Sequence, residues 1–360
     1  MKIAIDAREL RDKPTGVGRF LAEILTAWKT IPEAQAQEFI LLAPDGVAPR
    51  TGILWEQVVL PRLVREARAD VLFSPAYSGP MRPPVPMVVA IHDVSFAAHP
   101  EWFTWREGAR RRTTVQLAAR AATCVVTISQ FSKREIVAHL GIDSSKVVVA
   151  YPGVADLKGP PRLVDDLPHA ARTLRVRDTS SQTVLFVGSI FNRRHVPELI
   201  EGFARLARDH GDARLQVVGD NRTSPAIDIA DAIRATGLTD RIQLRSYVTD
   251  QELQALYAGA SAFAFLSEYE GFGLTPLEAM AAGLPVLLLD TPVAHEICGE
   301  AAIYAERPDP ALIEDALTTL LFDVGERRRL VDAADHVLAK YSWTECARQV
   351  LKVLIASGRG

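Results

Sequence analysis

Short apolar runs alternate with longer amphipathic segments along most of the chain. Ile3–Ala7, Phe39–Ala43, Val71–Phe73, Val88–Ile91, Cys124–Ile128 and Val147–Ala150 are apolar, and most are rich in β-branched residues. Such runs predict buried strands. Helical spacing fills the gaps at Gly18–Lys29, Trp105–Ala122 and Phe131–Leu140. The alternation lapses over residues 151–182, where Pro152, Gly153, Gly159, Pro160, Pro161 and Pro168 stand among charges, which predicts a domain junction. It resumes with strands at Val184–Val187, Leu215–Val218, Ile242–Leu244, Ala262–Leu266 and Val286–Leu289. Helices at Pro197–Asp209, Ala226–Thr236, Gln251–Gly259 and Thr275–Ala282 lie between them, and three helical segments close the chain. Strand–helix alternation of this kind is the mark of parallel sheets covered on both faces, so the fold class is α/β with two doubly wound domains.

Length agrees, since 360 residues suit two domains. With 48% hydrophobic and 24% charged residues the composition is that of an ordinary globular protein. A formal charge of −3 excludes a broadly basic nucleic-acid binder, and no nucleic-acid partner is expected. The charge is unevenly divided. Residues 1–177 carry 24 Lys and Arg against 18 Asp and Glu, and residues 178–360 carry 17 against 26. Arg106, Arg110, Arg111, Arg112 and Arg120 follow Trp102, Phe103 and Trp105 in one helical segment. That segment reads either as a solvated helix face or as a surface for anionic lipid or a phosphorylated acceptor. The longest apolar runs fall far short of the roughly 20 residues that span a bilayer. The opening Met1-Lys2-Ile3-Ala4-Ile5-Asp6 is too short and too soon charged for a signal peptide. Three scattered cysteines argue against a disulfide framework or a zinc site and fit a reducing cytoplasm. The eight histidines are dispersed, and no metal is expected.

Ser267 to Val286 carries the densest chemistry. Glu270 and Glu278 stand eight positions apart, with Gly271-Phe272-Gly273 and Leu274-Thr275-Pro276 between them. The glycines let backbone approach a ligand closely, and Pro276 suits a first helical turn. A helix start offers free N–H groups and a positive dipole end to a phosphate. Two carboxylates beside such a site suit the hydroxyls of flanking sugars. On spacing alone, a Gly-rich turn with two surface glutamates accounts for the run equally well.

The run as written resembles the E-x7-E region of retaining glycosyltransferases of family 4, whose fold is the two-Rossmann-domain GT-B type, and matches it at nearly every defined position. Thr15-Gly16-Val17-Gly18-Arg19, Ile91-His92-Asp93-Val94, Thr127 to Arg134, Val149 to Val154, Phe186-Val187-Gly188-Ser189, Val217-Val218-Gly219 and Tyr341-Ser342-Trp343 extend the resemblance over nearly the whole chain. It implies two domains facing a central cleft. An acceptor domain with its linker spans 1–177, a donor domain 178–340, and a helix at 341–360 crosses back.

The resemblance also implies site roles. Glu270 would face the transferred sugar, and Glu278 would hold the nucleotide ribose. Gly271, Phe272, Gly273, Leu274 and Thr275 would cradle diphosphate or sugar hydroxyls. Gly188, Ser189, Arg193 and Arg194 would meet the phosphates; Arg194 stands where the family usually has Lys, and Ser189 where some members have Arg. His92 would face the transferred sugar, and Asp93 would orient it or cap the next segment. Gly219 and Val248 lie where the cleft edge and the base would be read. Gly16, Val17, Gly18 and Arg19 would form a turn for the acceptor or phosphate.

The expected activity is a retaining, metal-independent transfer of a hexose, mannose first, from a nucleoside-diphosphate sugar to a sugar or lipid-linked acceptor, with no cofactor. Its setting is polysaccharide or glycolipid assembly in the cytoplasm, with peripheral contact at the inner membrane face as an option. The alternative is a catalytically silent GT-B subunit. A nicotinamide-dependent dehydrogenase fits poorly, because the first glycine turn lacks a third Gly.

Overall fold

The computed structural model describes residues 1–10, 16–44, 52–154 and 182–359. The chain divides into two compact units, Met1–Gly153 with Tyr341–Gly360, and Val154–Lys340. Most of the expected junction, including the 177/178 boundary, lies outside the described residues.

In the N-terminal unit, strands β1 (Lys2–Asp6), β2 (Glu38–Leu42), β3 (Val71–Ser74), β4 (Met87–Ala90), β5 (Cys124–Thr127) and β6 (Val147–Val149) pair in the order β2-β1-β3-β4-β5-β6. Every pairing is parallel. Helix α1 (Gly16–Trp28) follows β1, and the short α2 (Pro32–Gln35) leads to β2. A helical run of α3 (Gly52–Leu54), a π-helical turn (Trp55–Val59) and α4 (Leu60–Glu66) precedes β3. Then come α5 (Ser95–Ala98), α6 (Trp105–Ala121) and α7 (Gln130–Leu140). Ser129 accepts from Ser132 N to start α7, and Gly141, at φ 63°, ends it in the left-handed conformation glycine favours. β3 and β4 are buried along their whole length, which is why they read as continuous apolar runs.

The second unit has strands β7 (Gln182–Val187), β8 (Ala213–Val218), β9 (Ile242–Arg245), β10 (Ala262–Phe265), β11 (Val286–Leu289) and β12 (Ala302–Ala305), in the order β12-β11-β10-β7-β8-β9 and again all parallel. Its helices are α8 (Val196–Asp209), α9 (Ile229–Thr236), α10 (Asp250–Gly259), α11 (Leu274–Ala281), α12 (Pro292–Cys298), α13 (Pro310–Phe322) and α14 (Val324–Leu338). The final helix, α15 (Trp343–Gly358), belongs to the first unit. There Trp28 Nε1 donates to the Ala347 carbonyl across 2.9 Å. Gly153 abuts the Trp343 backbone so closely that a Cβ would lie 2.2 Å from its nitrogen.

Two sequence expectations change. The three closing helices are preceded by α12 and β12, and β12 forms the sheet edge. Gly16-Val17-Gly18 is not a turn. It opens α1, whose buried face of Phe20, Leu21, Ile24 and Trp28 sets the helical register.

In each sheet the chain fills one side of a starting strand and then crosses to the other. The reversal falls between β1 and β3 in the first unit and between β7 and β10 in the second. Crevices outside the carboxyl ends of strands at such points are where open α/β sheets take ligands.

Candidate active site

In the second unit the reversal point is formed by the loops after β7 and β10. Gly188 and Gly219 end β7 and β8, and a Cβ on Gly219 would lie 1.9 Å from the Gly188 carbonyl oxygen. A Cβ on Gly188 would meet Arg194 Nη1 at 2.8 Å. Only glycine lets these strand ends and the arginine converge.

Arg194 donates to Glu270 Oε1 from Nε at 2.9 Å and from Nη2 at 2.7 Å. Ser267 Oγ donates to the same oxygen at 2.8 Å. Arg194 Nη1 donates to the Ser189 carbonyl at 2.8 Å, and the guanidinium lies 4.8 Å from the Phe265 ring centre. Ser189 thus contributes a backbone acceptor that holds the arginine. The guanidinium expected to meet phosphate lies against the carboxylate expected to meet the sugar. Arg193 stacks on Phe191 at 4.3 Å, and its carbonyl accepts from Glu268 N at 2.9 Å.

The next residue, His195, carries no motif signal, yet it doubles this clasp. At φ 49° it starts α8, its Nε2 stands 2.8 Å from Glu268 Oε1, and its Nδ1 stands 3.5 Å from Glu198 Oε1. Burial lowers its affinity for a proton, but the two carboxylates outweigh that and its pKa ends above the ordinary value. The β7–α8 and β10–α11 loops are therefore tied by adjacent ion pairs and a backbone hydrogen bond.

Gly273, at φ 93°, precedes α11 and supplies no side-chain cap. Leu274 and Thr275 form the first turn, and the N–H groups there point out of the helix start, as an anion site requires. Glu278, one turn on, is buried, and the Tyr257 hydroxyl donates to its Oε2 at 3.4 Å. Gly271 is half-buried and Phe272 buried. A cavity of about 20 Å³ adjoins Glu270 and Gly273, walled mainly by Phe265, Leu288, Val293 and Cys298. Burial pushes the Cys298 thiol up to about 12, so it acts there as an apolar filler. Val248 is half-buried before α10, in a loop fixed by the Thr249–Glu252 capping box.

The N-terminal unit holds His92 and the residues 16–19. His92 Nε2 donates to the Pro75 carbonyl at 2.9 Å, which fixes the tautomer and leaves Nδ1 as the acceptor. Its ring packs edge-on against Phe20 and Tyr77, with centres 4.8 and 5.4 Å apart. Burial holds its pKa below the ordinary value, so it is neutral at pH 7. Asp93 caps the following segment: Oδ1 accepts from Ser95 N and Oγ, and Oδ2 accepts from the Tyr77 hydroxyl at 2.6 Å. Gly16 is exposed, Val17 and Arg19 are half-buried and Gly18 is buried.

A second polar cluster in this unit went unmarked by any motif. Arg8 Nη2 donates to Glu56 Oε1 at 2.6 Å, as does Ser78 Oγ. Trp55 Nε1 donates to Asp6 Oδ1 at 3.1 Å, and Asp6 Oδ2 lies 3.3 Å from Arg8 Nε. Burial raises the Asp6 pKa, against the opposing pull of Arg8. Among the described residues no group of three His, Cys, Asp or Glu could hold a metal ion, and no helix is long and apolar enough to cross a membrane.

Residues 24–156 match the family model described as glycosyltransferase family 4, and residues 172–337 match that described as glycosyl transferases group 1. An uncharacterized glycosyltransferase of Methanocaldococcus jannaschii is 28% identical over 64% of this chain and 59% of its own length. The O-antigen chain mannosyltransferase B of Escherichia coli is 25% identical over 73% of this chain and 68% of its own. The chain thus spans about three fifths to two thirds of the length of these curated relatives. Among solved structures, HepE of Anabaena, in complex with UDP and glucose, superposes with a TM-score of 0.72 over 99% of this chain and all of its own, at 19% identity.

Proposed function

From the premise that the chain belongs to the group 1 and family 4 glycosyltransferases of GT-B fold, we propose that it moves a hexose from a nucleoside-diphosphate sugar to an acceptor hydroxyl. The observation that carries this reading is Glu270, held by Arg194 beside the open start of α11, at the point where the second sheet reverses. The helix start takes the diphosphate and stabilises the charge that builds as the glycosidic bond breaks. Arg193 adds a nearby cation. Glu270 Oε2, which has no protein partner among the described residues, accepts from a sugar hydroxyl. Glu278 takes the ribose.

With a carboxylate already engaged by a guanidinium, Glu270 is a poor nucleophile. The reading is therefore retention by front-face departure, with the leaving phosphate accepting the acceptor proton. No metal is called for in this reading, because the helix dipole and Arg193 supply the positive charge. Neutral His92 offers Nδ1 to a hydroxyl of the transferred sugar. Mannose, carried on GDP, is the sugar proposed, on the strength of the Escherichia coli relative's name. The acceptor is a sugar or lipid-linked sugar, met in the cytoplasm at the membrane face. One observation favours the silent-subunit reading: Arg194 is committed to Glu270.

Thermal-shift measurements with GDP, UDP, ADP, dTDP and NAD, with and without magnesium, test the reading. A ligand at 100 times its Kd stabilises by about 2.7 kcal/mol, so one nucleoside diphosphate should stand clear whether or not magnesium is present. Release of GDP from GDP-mannose, with the anomeric configuration of the product read by NMR, then tests donor and retention. A response to NAD alone overturns the reading. Nucleotide binding without turnover of any sugar nucleotide favours the silent subunit.

A further inference from the structure

The cluster of Asp6, Arg8, Glu56 and Ser78 stands at the carboxyl ends of β1 and β3, the reversal point of the first sheet. Ligands of open α/β sheets bind at that place. Its make-up is unusual for a structural ion pair. Three carboxylates face one guanidinium, those of Asp6, Glu56 and, at 4.0 Å, Glu9, and Asp6 and Glu56 are 1% and 5% exposed. Asp6 Oδ2 and Arg8 Nε are buried without an aligned hydrogen bond, but they face each other at 3.3 Å as an ion pair, so Asp6 serves to hold the guanidinium. At the rim, Arg8 Nη1 and Glu56 Oε2 make no bond among the described residues, although Nη2 and Oε1 of the same two groups are joined at 2.6 Å. A spare donor thus stands beside a spare acceptor.

The surrounding backbone is specialised as well. Trp55 and Glu56 begin a π-helical turn, a departure that clusters at functional sites. Tyr77, beside Ser78, has φ 65°, which a bulky residue adopts only when its surroundings enforce it. Its hydroxyl bond to Asp93 and its ring contact with His92 supply that enforcement. The segment 75–78 therefore ties Glu56 on one side to His92 on the other.

We propose that Arg8 and Glu56 form a subsite for two neighbouring hydroxyls of a neutral sugar, one hydroxyl accepting from Arg8 Nη1 and the other donating to Glu56 Oε2. The excess carboxylate selects against a phosphate at this point. The proposal rests on the glycosyltransferase reading in taking that sugar to be the acceptor, and it adds both the place and the charge class.

Saturation-transfer NMR on the full chain tests it, with millimolar methyl α-mannoside, methyl α-glucoside, methyl α-galactoside and mannose 6-phosphate as probes. At least one neutral hexoside should take up saturation, and mannose 6-phosphate should take up less. Glu56→Gln and Arg8→Gln should cut that signal about tenfold, equivalent to 1.4 kcal/mol, while the nucleoside-diphosphate melting shift stays as in the parent. Because both side chains are buried, Ser78→Ala serves as the milder variant and should weaken the signal severalfold. The subsite is overturned if no hexoside is saturated, if folded Glu56→Gln and Ser78→Ala give parental signals, or if the phosphorylated sugar is preferred. A nucleotide shift without hexoside saturation sinks the subsite alone. Absence of any nucleotide shift sinks the glycosyltransferase reading, and the hexoside comparison still decides the subsite.

Discussion

Arg194 delivers two hydrogen bonds to a single oxygen of Glu270, and Ser267 adds a third, while the other carboxylate oxygen has no protein partner among the described residues. The carboxylate is held from one side only. A ligand can bind the free oxygen without breaking the bonds that orient the side chain. Glu270→Gln removes the charge, keeps the shape and leaves a guanidinium that is 12% exposed without its anion. Stability should fall by about 1–3 kcal/mol, measurable by urea unfolding, and sugar transfer should fall far more steeply than nucleotide affinity. Equal losses in both would mean that Glu270 only supports the nucleotide site.

His195 and His92 should pull stability in opposite directions with pH. The His195 pKa is raised in the folded chain, so its contribution is complete below the unfolded value of about 6.5 and is lost as pH rises through the folded value. The His92 pKa is depressed by burial, so its neutral form is favoured and stability is lost as pH falls below about 6.5. His195→Gln should remove the alkaline loss, and His92→Gln should flatten the acid limb. Urea midpoints between pH 5 and 8.5 report both. A parental slope in either variant refutes the assignment for that residue.

Gly219→Ala should be among the most damaging single-methyl additions to the second unit, because the new Cβ would sit 1.9 Å from a backbone oxygen of Gly188. Neither strand end can move without disturbing the Gly188–Arg194 approach. A loss above about 3 kcal/mol is expected, whereas Gly211→Ala, where a Cβ meets nothing within 4 Å, should be nearly neutral. Comparable unfolding midpoints for the two variants would contradict the close approach.

Most of the strand and helix alternation was legible, because a fully buried parallel strand writes itself as an apolar run. β12 was not: its Ala-Ile-Tyr-Ala sequence is short and its two central residues are half-buried. The glycines at 16 and 18 looked like a turn, but the apolar face that follows them governs, and they coil into α1. At the candidate active site, Glu270, Glu278 and the glycines were visible in one local run. The Arg194–Glu270 clasp spans 76 positions and the Arg8–Glu56 pair 48, and such partners carry no local signature. His195 was hidden for the same reason, since its partner Glu268 lies 73 positions away.

The basic helix α6 makes a prediction of its own. Trp105 is 83% exposed, and Arg106, Arg110 and Arg120 lie with it on the solvent side, whereas Gly108, Val115, Ala118 and Ala119 face inward. Arg111 pairs with Glu107 at 2.7 Å, and Arg112 donates to the Ala97 carbonyl. The first three arginines are therefore the ones available to a surface. Each basic side chain near an anionic bilayer is worth about 1 kcal/mol, so the triple substitution of Arg106, Arg110 and Arg120 by Gln should weaken binding to phosphatidylglycerol vesicles by about 100-fold. Trp105→Ala should weaken it less, and by an amount that salt does not change. Binding of the parent should itself fall as salt rises from 0.1 to 1 M, where the screening length drops from about 10 to about 3 Å. Co-sedimentation with phosphatidylglycerol and phosphatidylcholine vesicles reads all three effects. If the parent chain sediments with neither, or equally with both, α6 is a solvated face and the membrane contact is wrong.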